Sequence, residues 1–324
     1  MFENMIAALK KDKRRIVFTE GTDPRILEAA SRLSQEGILS PILLGDPAEI
    51  DAAAKKYNRN IAGIEKIDPK HYARFDEMLQ KMVELRKGKM DEAACRAALA
   101  KSNYFGTMLV KMDIADCLLG GATYSTADTV RPALQLIKTK PGSKIVSSCF
   151  ILARTASDGS EELYAMADCA INIDPNEDQL VEIAEQTVAT ARVFSIDPKV
   201  AMLSYSTMGS GKGDKVDLVR NATAKLKAKN SDFPVDGELQ FDAAFAPEVA
   251  KVKAPASQVA GRANTFVFPD INAGNIGYKI AQRLGGFEAF GPILQGLNAP
   301  INDLSRGCNA EEVYKMAIIT ACLK

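Results

Sequence analysis

The sequence holds one histidine, His71, and no tryptophan in 324 residues. A single histidine excludes a histidine-rich metal centre, and a Ser/His or Cys/His nucleophile pair would have to use His71 itself. Its setting, "DPKHYARF", is polar, has no nucleophile signature nearby and reads as a surface position at a helix start. Net charge is also lacking. Forty-one basic and 41 acidic side chains cancel, which removes the electrostatic argument for nucleic acid or an anionic membrane surface as the main partner. Any anionic ligand must then be held by local arginines. No run approaches the roughly 18 apolar residues of a membrane span. The N-terminal "MFENMIAALKKDKRR" is apolar and then basic, the reverse of a secretory signal, and reads as an amphipathic helix with Phe2, Met5, Ile6 and Leu9 on one face. Six cysteines are present, Cys95, Cys117, Cys149, Cys169, Cys308 and Cys322, but no CxxC pair, so reduced thiols in a cytoplasmic protein are expected. The chemistry must therefore run on carboxylates, arginines, hydroxyls and groups of the substrate.

What is present is apolar material for a large core. With 47% apolar residues the chain is globular, and its length exceeds what one compact core usually fills, so two domains are expected. Short apolar runs alternate with helical periodicity: "IVFTE" (16–20) precedes "DPRILEAASRLSQEG", "SPILLG" (40–45) precedes "DPAEIDAAAKKYN", and "CLLGG" (117–121) precedes "STADTVRPALQLIK". This alternation predicts parallel strands with crossover helices, the α/β class. After Lys140 the "PGS" turn breaks the pattern. "KIVSSCFILAR" and "ELYAMADCAINI" then read as two adjacent strands with no helix between them, followed by a long helix and further strands at 199–207 and 264–270. The domain boundary is placed near 141.

Ligands of open α/β sheets sit at the carboxyl ends of strands. The loop "GGATYSTADTVRP" (120–132) combines glycines, the hydroxyls Ser125, Thr126 and Thr129, and Arg131, all leading into a helix N-terminus that favours an anion. The alternative is an ordinary capped turn. A second loop, "STMGSGKGDK" (206–215), looks like a phosphate cradle but departs from both standard patterns. A Walker loop needs glycine at Ser206 and a hydroxyl at Gly213, and a GxGxxG run begun at Gly209 meets Asp214. A place near a polyphosphate ligand stays open for it. In "NDLSRGCNAEEVY" (302–314), Arg306 beside Ser305 suits phosphate or carboxylate oxygens. The same stretch also reads as a helix start, with Asn309 as cap and Glu312 returning a hydrogen bond to it.

Long blocks in order, including "NYFGTMLVKM", "TADTVRPALQLIKTKPG", "DGELQFDAAFAPEVA", "NTFVFPDINAGNIGYKIAQRLG", "GPILQGLNAPINDLSRGC" and "EEVYKMAIITA", give the chain a resemblance to the phosphate acetyltransferase family over nearly its whole length. The resemblance implies reversible transfer of an acetyl group between acetyl phosphate and coenzyme A. It implies two α/β/α domains with a cleft between them, like the isocitrate/isopropylmalate dehydrogenase fold, and a homodimer. The C-terminal segment would return to the first domain, giving 1–140 plus 291–324 and an inserted 141–290. Carried over by position, Ser305 and Arg306 hold the phosphoryl group and stabilise the oxyanion, and Glu312 is the base, with Glu311 as the fallback. Members often have aspartate at this place. Arg86, Arg131 and Arg283 bind coenzyme A or acyl phosphate. Tyr278, Asn302 and Cys308, inside matching blocks, join Ser125, Thr126 and Thr129 as substrate contacts. Tyr124 stands where many members have histidine.

The residues' own chemistry is compatible with this. A thiol of pKa ~8.5 is mostly protonated at neutral pH, so a carboxylate that takes its proton during attack is useful. Donors such as Arg306 and Ser305 suit the oxyanion of a tetrahedral intermediate. Phosphate leaves as a stable anion, so no metal and no further cofactor are expected; coenzyme A, acetyl-CoA, acetyl phosphate and inorganic phosphate are the partners. Arg306 and a helix N-terminus could lower the Cys308 pKa toward a covalent route. Direct thiol attack in a ternary complex is nevertheless expected, because the donor is already activated. Two rivals differ in class, a metal-dependent decarboxylating dehydrogenase and a coenzyme A-binding regulatory module without turnover, and phosphate butyryltransferase is the close alternative.

Overall fold

The computed structural model describes residues 1–229 and 232–324. The chain begins with α1 (Phe2–Lys11), β1 (Arg14–Phe18), α2 (Pro24–Gln35), β2 (Leu39–Leu44), α3 (Pro47–Lys56), β3 (Glu65–Ile67), α4 (Phe75–Leu85), α5 (Glu92–Leu99), α6 (Ser102–Lys111), β4 (Cys117–Gly120) and α7 (Thr126–Pro132). A π-helical turn over Ala133–Ile137 continues α7. Then come β5 (Ser147–Thr155), β6 (Glu161–Ala167), α8 (Glu177–Val193), β7 (Val200–Leu203), α9 (Asp214–Ala228), β8 (Val235–Leu239), α10 (Phe241–Phe245), α11 (Pro247–Lys253), β9 (Thr265–Val267), α12 (Ile271–Arg283) and β10 (Glu288–Gln295). The last elements are β11 (Ile301–Asp303) and α13 (Ala310–Cys322). These elements form two compact units, Met1–Gly142 with Leu297–Lys324, and Ser143–Gly296.

The first unit has a five-stranded sheet of order β11-β4-β1-β2-β3, every pairing parallel. Ile16, Val17 and Phe18 are all buried because a parallel sheet is covered on both faces, so the strand reads as a continuous apolar run. Val17 packs with Phe105, Met108 and Leu109 of α6, while α13 packs on α2, β1 and β4. At Gly106 of α6 a Cβ would lie 2.8 Å from Leu118 Cδ1, so a larger residue there would require the Leu118 side chain to shift.

The second unit has a six-stranded mixed sheet, β10-β5-β6-β9-β7-β8. β5 pairs antiparallel with β10 and with β6, and the remaining pairs are parallel. The two helix-free strands read from sequence are this β5/β6 pair. α/β organisation with two sheets thus follows from the alternation of apolar runs and helical periods.

Three details differ from the sequence reading. The helix expected over 125–138 changes at Pro132, which has no N–H for the Asp128 carbonyl; Asn103 Nδ2 donates to that carbonyl at 2.7 Å instead. The strand expected to run to Ile173 ends at Ala167, because the Asp168 carboxylate accepts from the amides of Ala170, Ile171 and Asn172 and bends the chain. A boundary at 290 would cut β10, whose Ile293, Leu294 and Gln295 pair with β5, so the strand stays whole in the second unit.

Candidate active site at the carboxyl ends of β1, β4 and β11

From β1 the chain steps outward to β2 and β3, whereas β4 and β11 lie on its other side. The order therefore reverses between β1 and β4, the position where open parallel sheets bind ligands. Three loops meet there: Thr19–Asp23 after β1, Gly121–Ser125 after β4, and Leu304–Asn309 after β11. The last two are tied by Leu304 N donating to Gly120 O at 2.7 Å. Gly121 has φ +100°, and a Cβ there would collide with the Asp303 carboxylate, so glycine is required on both counts.

Two carboxylates frame these loops, Glu20 half-buried and Asp303 buried. Glu20 Oε1 accepts from Gly121 N at 2.9 Å and Thr123 N at 3.3 Å, and Oε2 accepts from Thr19 Oγ1 at 2.8 Å. Burial pushes its carboxyl pKa up, an effect only partly offset by these donors. Thr19 Oγ1 also lies 2.8 Å from the Tyr124 hydroxyl, which burial likewise pushes up. Tyr124 thus stands as a joint between the β1 and β4 loops. Asp303, 2% exposed, accepts from Thr126 Oγ1 and Thr129 Oγ1, each at 2.5 Å, and burial raises its pKa.

Beside them, Ser305 and Arg306 are exposed. Ser305 Oγ accepts from Gly307 N at 3.3 Å, leaving its O–H to donate, and no other described residue bonds the Arg306 guanidinium. The Arg306 backbone is held firmly. Arg25 Nη1 donates to Arg306 O at 2.8 Å and Cys308 O at 3.0 Å, while Nη2 reaches Ala122 O at 2.9 Å. Cys308 is 6% exposed, and burial pushes its thiol up to about 11 against the opposing pull of Arg25. The lowering considered from sequence does not occur, since desolvation of the thiolate outweighs nearby positive charge.

At the start of α13, Asn309 Oδ1 accepts from Glu312 N at 2.9 Å and Glu312 Oε2 accepts from Asn309 N at 3.3 Å, a complete capping box. Glu312 remains exposed, so its carboxylate also faces solvent. Glu311 is paired with Arg32 at 2.6 Å, and that guanidinium lies over the Tyr314 ring.

Several substrate contacts expected from sequence have other partners. Thr126 and Thr129 direct their hydroxyls at Asp303, and Ser125 donates to Asp128 at 2.7 Å. Asn302 is 0% exposed and donates to Thr320 at 2.9 Å, joining β11 to α13; a ligand cannot reach it. Arg131 is exposed on α7. Arg86 Nε is buried with no hydrogen-bond partner, its Nη1 being 3.5 Å from Gln135 O. Gln135 also accepts from Tyr104 at 2.9 Å, and the positive charges of both Arg131 and Arg86 act on that phenol. These two arginines therefore share one neighbourhood. Tyr278 and Arg283 lie on α12 of the second unit, Tyr278 stacked on Phe150 with ring centroids 3.9 Å apart.

The 206–215 loop is not an open cradle. The Glu238 carboxylate accepts from Gly209 N at 2.7 Å and Ser206 Oγ at 2.9 Å, and Ser206 Oγ accepts from Gly211 N at 2.8 Å. An internal anion occupies the amides that a phosphate would need. His71 is exposed and pairs with Asp68 at 2.6 Å, away from these loops in its own surface turn.

Thr19, Glu20, Arg25 and Asp303 were missed as site residues from sequence. "IVFTE" showed the strand end, but nothing local distinguishes a carboxylate that will face a neighbouring loop from one that faces water. Arg25 did leave a trace: a cation in the first turn of a helix opposes the helix dipole.

Comparison with known proteins shows the family. Residues 1–321 match the family model described as phosphate acetyl/butaryl transferase. Phosphate acetyltransferase of Bacillus subtilis (strain 168) is 56% identical over 307 residues, covering 95% of this chain and 94% of that protein. The phosphate acetyltransferase of Staphylococcus aureus (strain MRSA252) is 50% identical over 311 residues, covering 95% and 93%. A phosphotransacetylase structure from Streptococcus pyogenes superposes with TM-score 0.95 at 55% identity, covering 99% of this chain and 97% of that one. A branched-chain phosphotransacylase from Enterococcus faecalis V583, at 21% identity and TM-score 0.66, shares the fold. With residues 1–321 matched and a relative 56% identical over 95% of it, the chain belongs to the phosphate acetyl/butaryl transferase family of acyltransferases.

Proposed function

We propose that the protein is a phosphate acetyltransferase that moves an acetyl group reversibly between acetyl phosphate and coenzyme A by direct thiol attack in a ternary complex. The observation that carries this reading is the Arg306 guanidinium, exposed and unpaired among the described residues, beside a Ser305 hydroxyl whose O–H is left to donate, at a sheet switch point. Arg306 holds the phosphoryl oxygens, and Arg306 with Ser305 donates to the oxyanion of the tetrahedral intermediate. Glu312 takes the proton of the coenzyme A thiol as its sulfur bonds to the acetyl carbon. The carbon–oxygen bond to phosphate then breaks and phosphate leaves with the electron pair. Arg86 and Arg131, whose charges act on the same Tyr104 phenol, bind coenzyme A or the acyl phosphate. Two copies form a homodimer, and the likeness to the isocitrate/isopropylmalate dehydrogenase fold belongs to the same reading.

The test is thioester formation from coenzyme A with acetyl phosphate and, separately, butyryl phosphate, each with and without chelator. Faster turnover with acetyl phosphate, unchanged by chelator, is the expected outcome. A preference for butyryl phosphate would move the assignment to the other acyl chain named by the family, and no turnover with either would leave a binding module. Chelator-sensitive turnover restored by a divalent cation would count against the metal-free mechanism.

Cys308 serves in this scheme as a small wall residue, in keeping with a thiol pushed up to about 11. Cys308→Ala is expected to keep turnover within about threefold, since acetyl phosphate is already activated and coenzyme A brings its own thiol. Labelled phosphate should not exchange into acetyl phosphate without coenzyme A. Such exchange, abolished by Cys308→Ala, would establish an acetyl-cysteine route instead.

A further inference from the structure

We infer that Arg25 is a positioning residue for Arg306, setting the place of the catalytic guanidinium through its backbone. The inference rests on the role given to Arg306 under the proposed function. Arg25 sits in the first turn of α2, directly after the N-cap Asp23 and Pro24, where a positive charge is at the unfavourable end of the helix dipole. An arginine there needs a compensating set of bonds, and it has one. Nε donates to Asp23 Oδ1 at 3.0 Å and Nη2 to Asp23 Oδ2 at 2.7 Å, a bidentate pair that fixes the guanidinium plane. The three remaining N–H groups point to three carbonyls: Arg306 O, Cys308 O and Ala122 O.

All five donors are thereby engaged, so none remains for a substrate. The guanidinium instead joins two loops, gripping the 306–308 segment at both ends and the β4 loop at Ala122. Ser305 and Arg306 are exposed, and the Arg306 side chain has no other anchor among the described residues. The direction in which that side chain leaves the backbone is thus set chiefly by these carbonyl contacts. Lysine could keep the charge, but one ammonium with three donors cannot hold the aspartate bidentately and reach three carbonyls in one plane.

The experiment compares Arg25→Ala, Arg25→Lys, Arg306→Lys and each Arg25 variant combined with Arg306→Lys, recording kcat, KM for acetyl phosphate, KM for coenzyme A, and thermal unfolding. Displacement of a catalytic group by about 1 Å costs on the order of 100-fold, which is the expected loss of kcat in Arg25→Ala. KM for coenzyme A should stay within about twofold, because the joint acts on the phosphoryl side. Added to Arg306→Lys, either Arg25 change should lower kcat by less than about threefold more, since its effect passes through the arginine already altered. Should Arg25→Ala fail to fold, Arg25→Lys completes the same comparison. Full kcat in Arg25→Lys, or losses that multiply in the combined variants, would overturn the inference while leaving the role of Arg306 intact. Normal turnover in Arg306→Lys would remove both.

Discussion

Arg306→Lys is expected to lower turnover by roughly 100- to 1,000-fold, the loss that follows removal of one well-aimed oxyanion donor. Charge is conserved in this change, so a simple electrostatic attraction for the phosphoryl group would survive it. Geometry is not conserved. The guanidinium offers two parallel donors in a fixed plane, while an ammonium is a compact point charge that cannot reproduce both directed bonds. Because Arg306 is exposed and its guanidinium is bonded to no described residue, the substitution should leave the melting temperature unchanged. Its backbone carbonyl, the group bonded by Arg25, is present in either residue. A kcat within threefold of the unaltered protein would remove Arg306 from the mechanism.

Glu312→Gln separates two roles that the structure places on one side chain. As the third helical residue of α13, Glu312 completes a capping box through a 3.3 Å bond from Asn309 N. Glutamine offers the same acceptor and similar length, so the cap, which contributes about 1 kcal/mol where its side chain is lost altogether, persists. What glutamine removes is a carboxylate able to accept a proton from the coenzyme A thiol. General-base catalysis typically contributes 100- to 10,000-fold, so a kcat loss of about that size with an unchanged melting curve is expected. Full activity in Glu312→Gln would withdraw the base assignment altogether. Glu311, the fallback from sequence, is engaged by Arg32 at 2.6 Å and in that arrangement is not free to act.

The class of the fold and the family were legible in the chain itself. Buried strands of a parallel sheet must be apolar on both faces, so 16–18, 41–44 and 117–120 announce themselves as short unbroken runs. Their separation by helical periods selects parallel pairing. The capping box at Asn309 and Glu312 was equally readable, because both partners lie within four residues of one another and its geometry is local. The change of helix at Pro132 was not read from the periodicity, and the neighbouring Asn103 shows how the freed Asp128 carbonyl is satisfied.

What the sequence alone determined was therefore the local period, the placement of strands and loops, and through the long matching blocks the reaction family. Tertiary structure alone decided which polar groups are free and which are joints. Thr126 meets Asp303 across 177 residues of chain, Arg25 meets the Arg306 carbonyl across 281, and Asn302 is closed off by Thr320 of α13. A hydroxyl, amide or guanidinium carries the same donors whether it faces a ligand or a distant carbonyl. Its partner is fixed by sheet order and by the packing of helices that bring remote segments within about 3 Å, a distance no local pattern encodes.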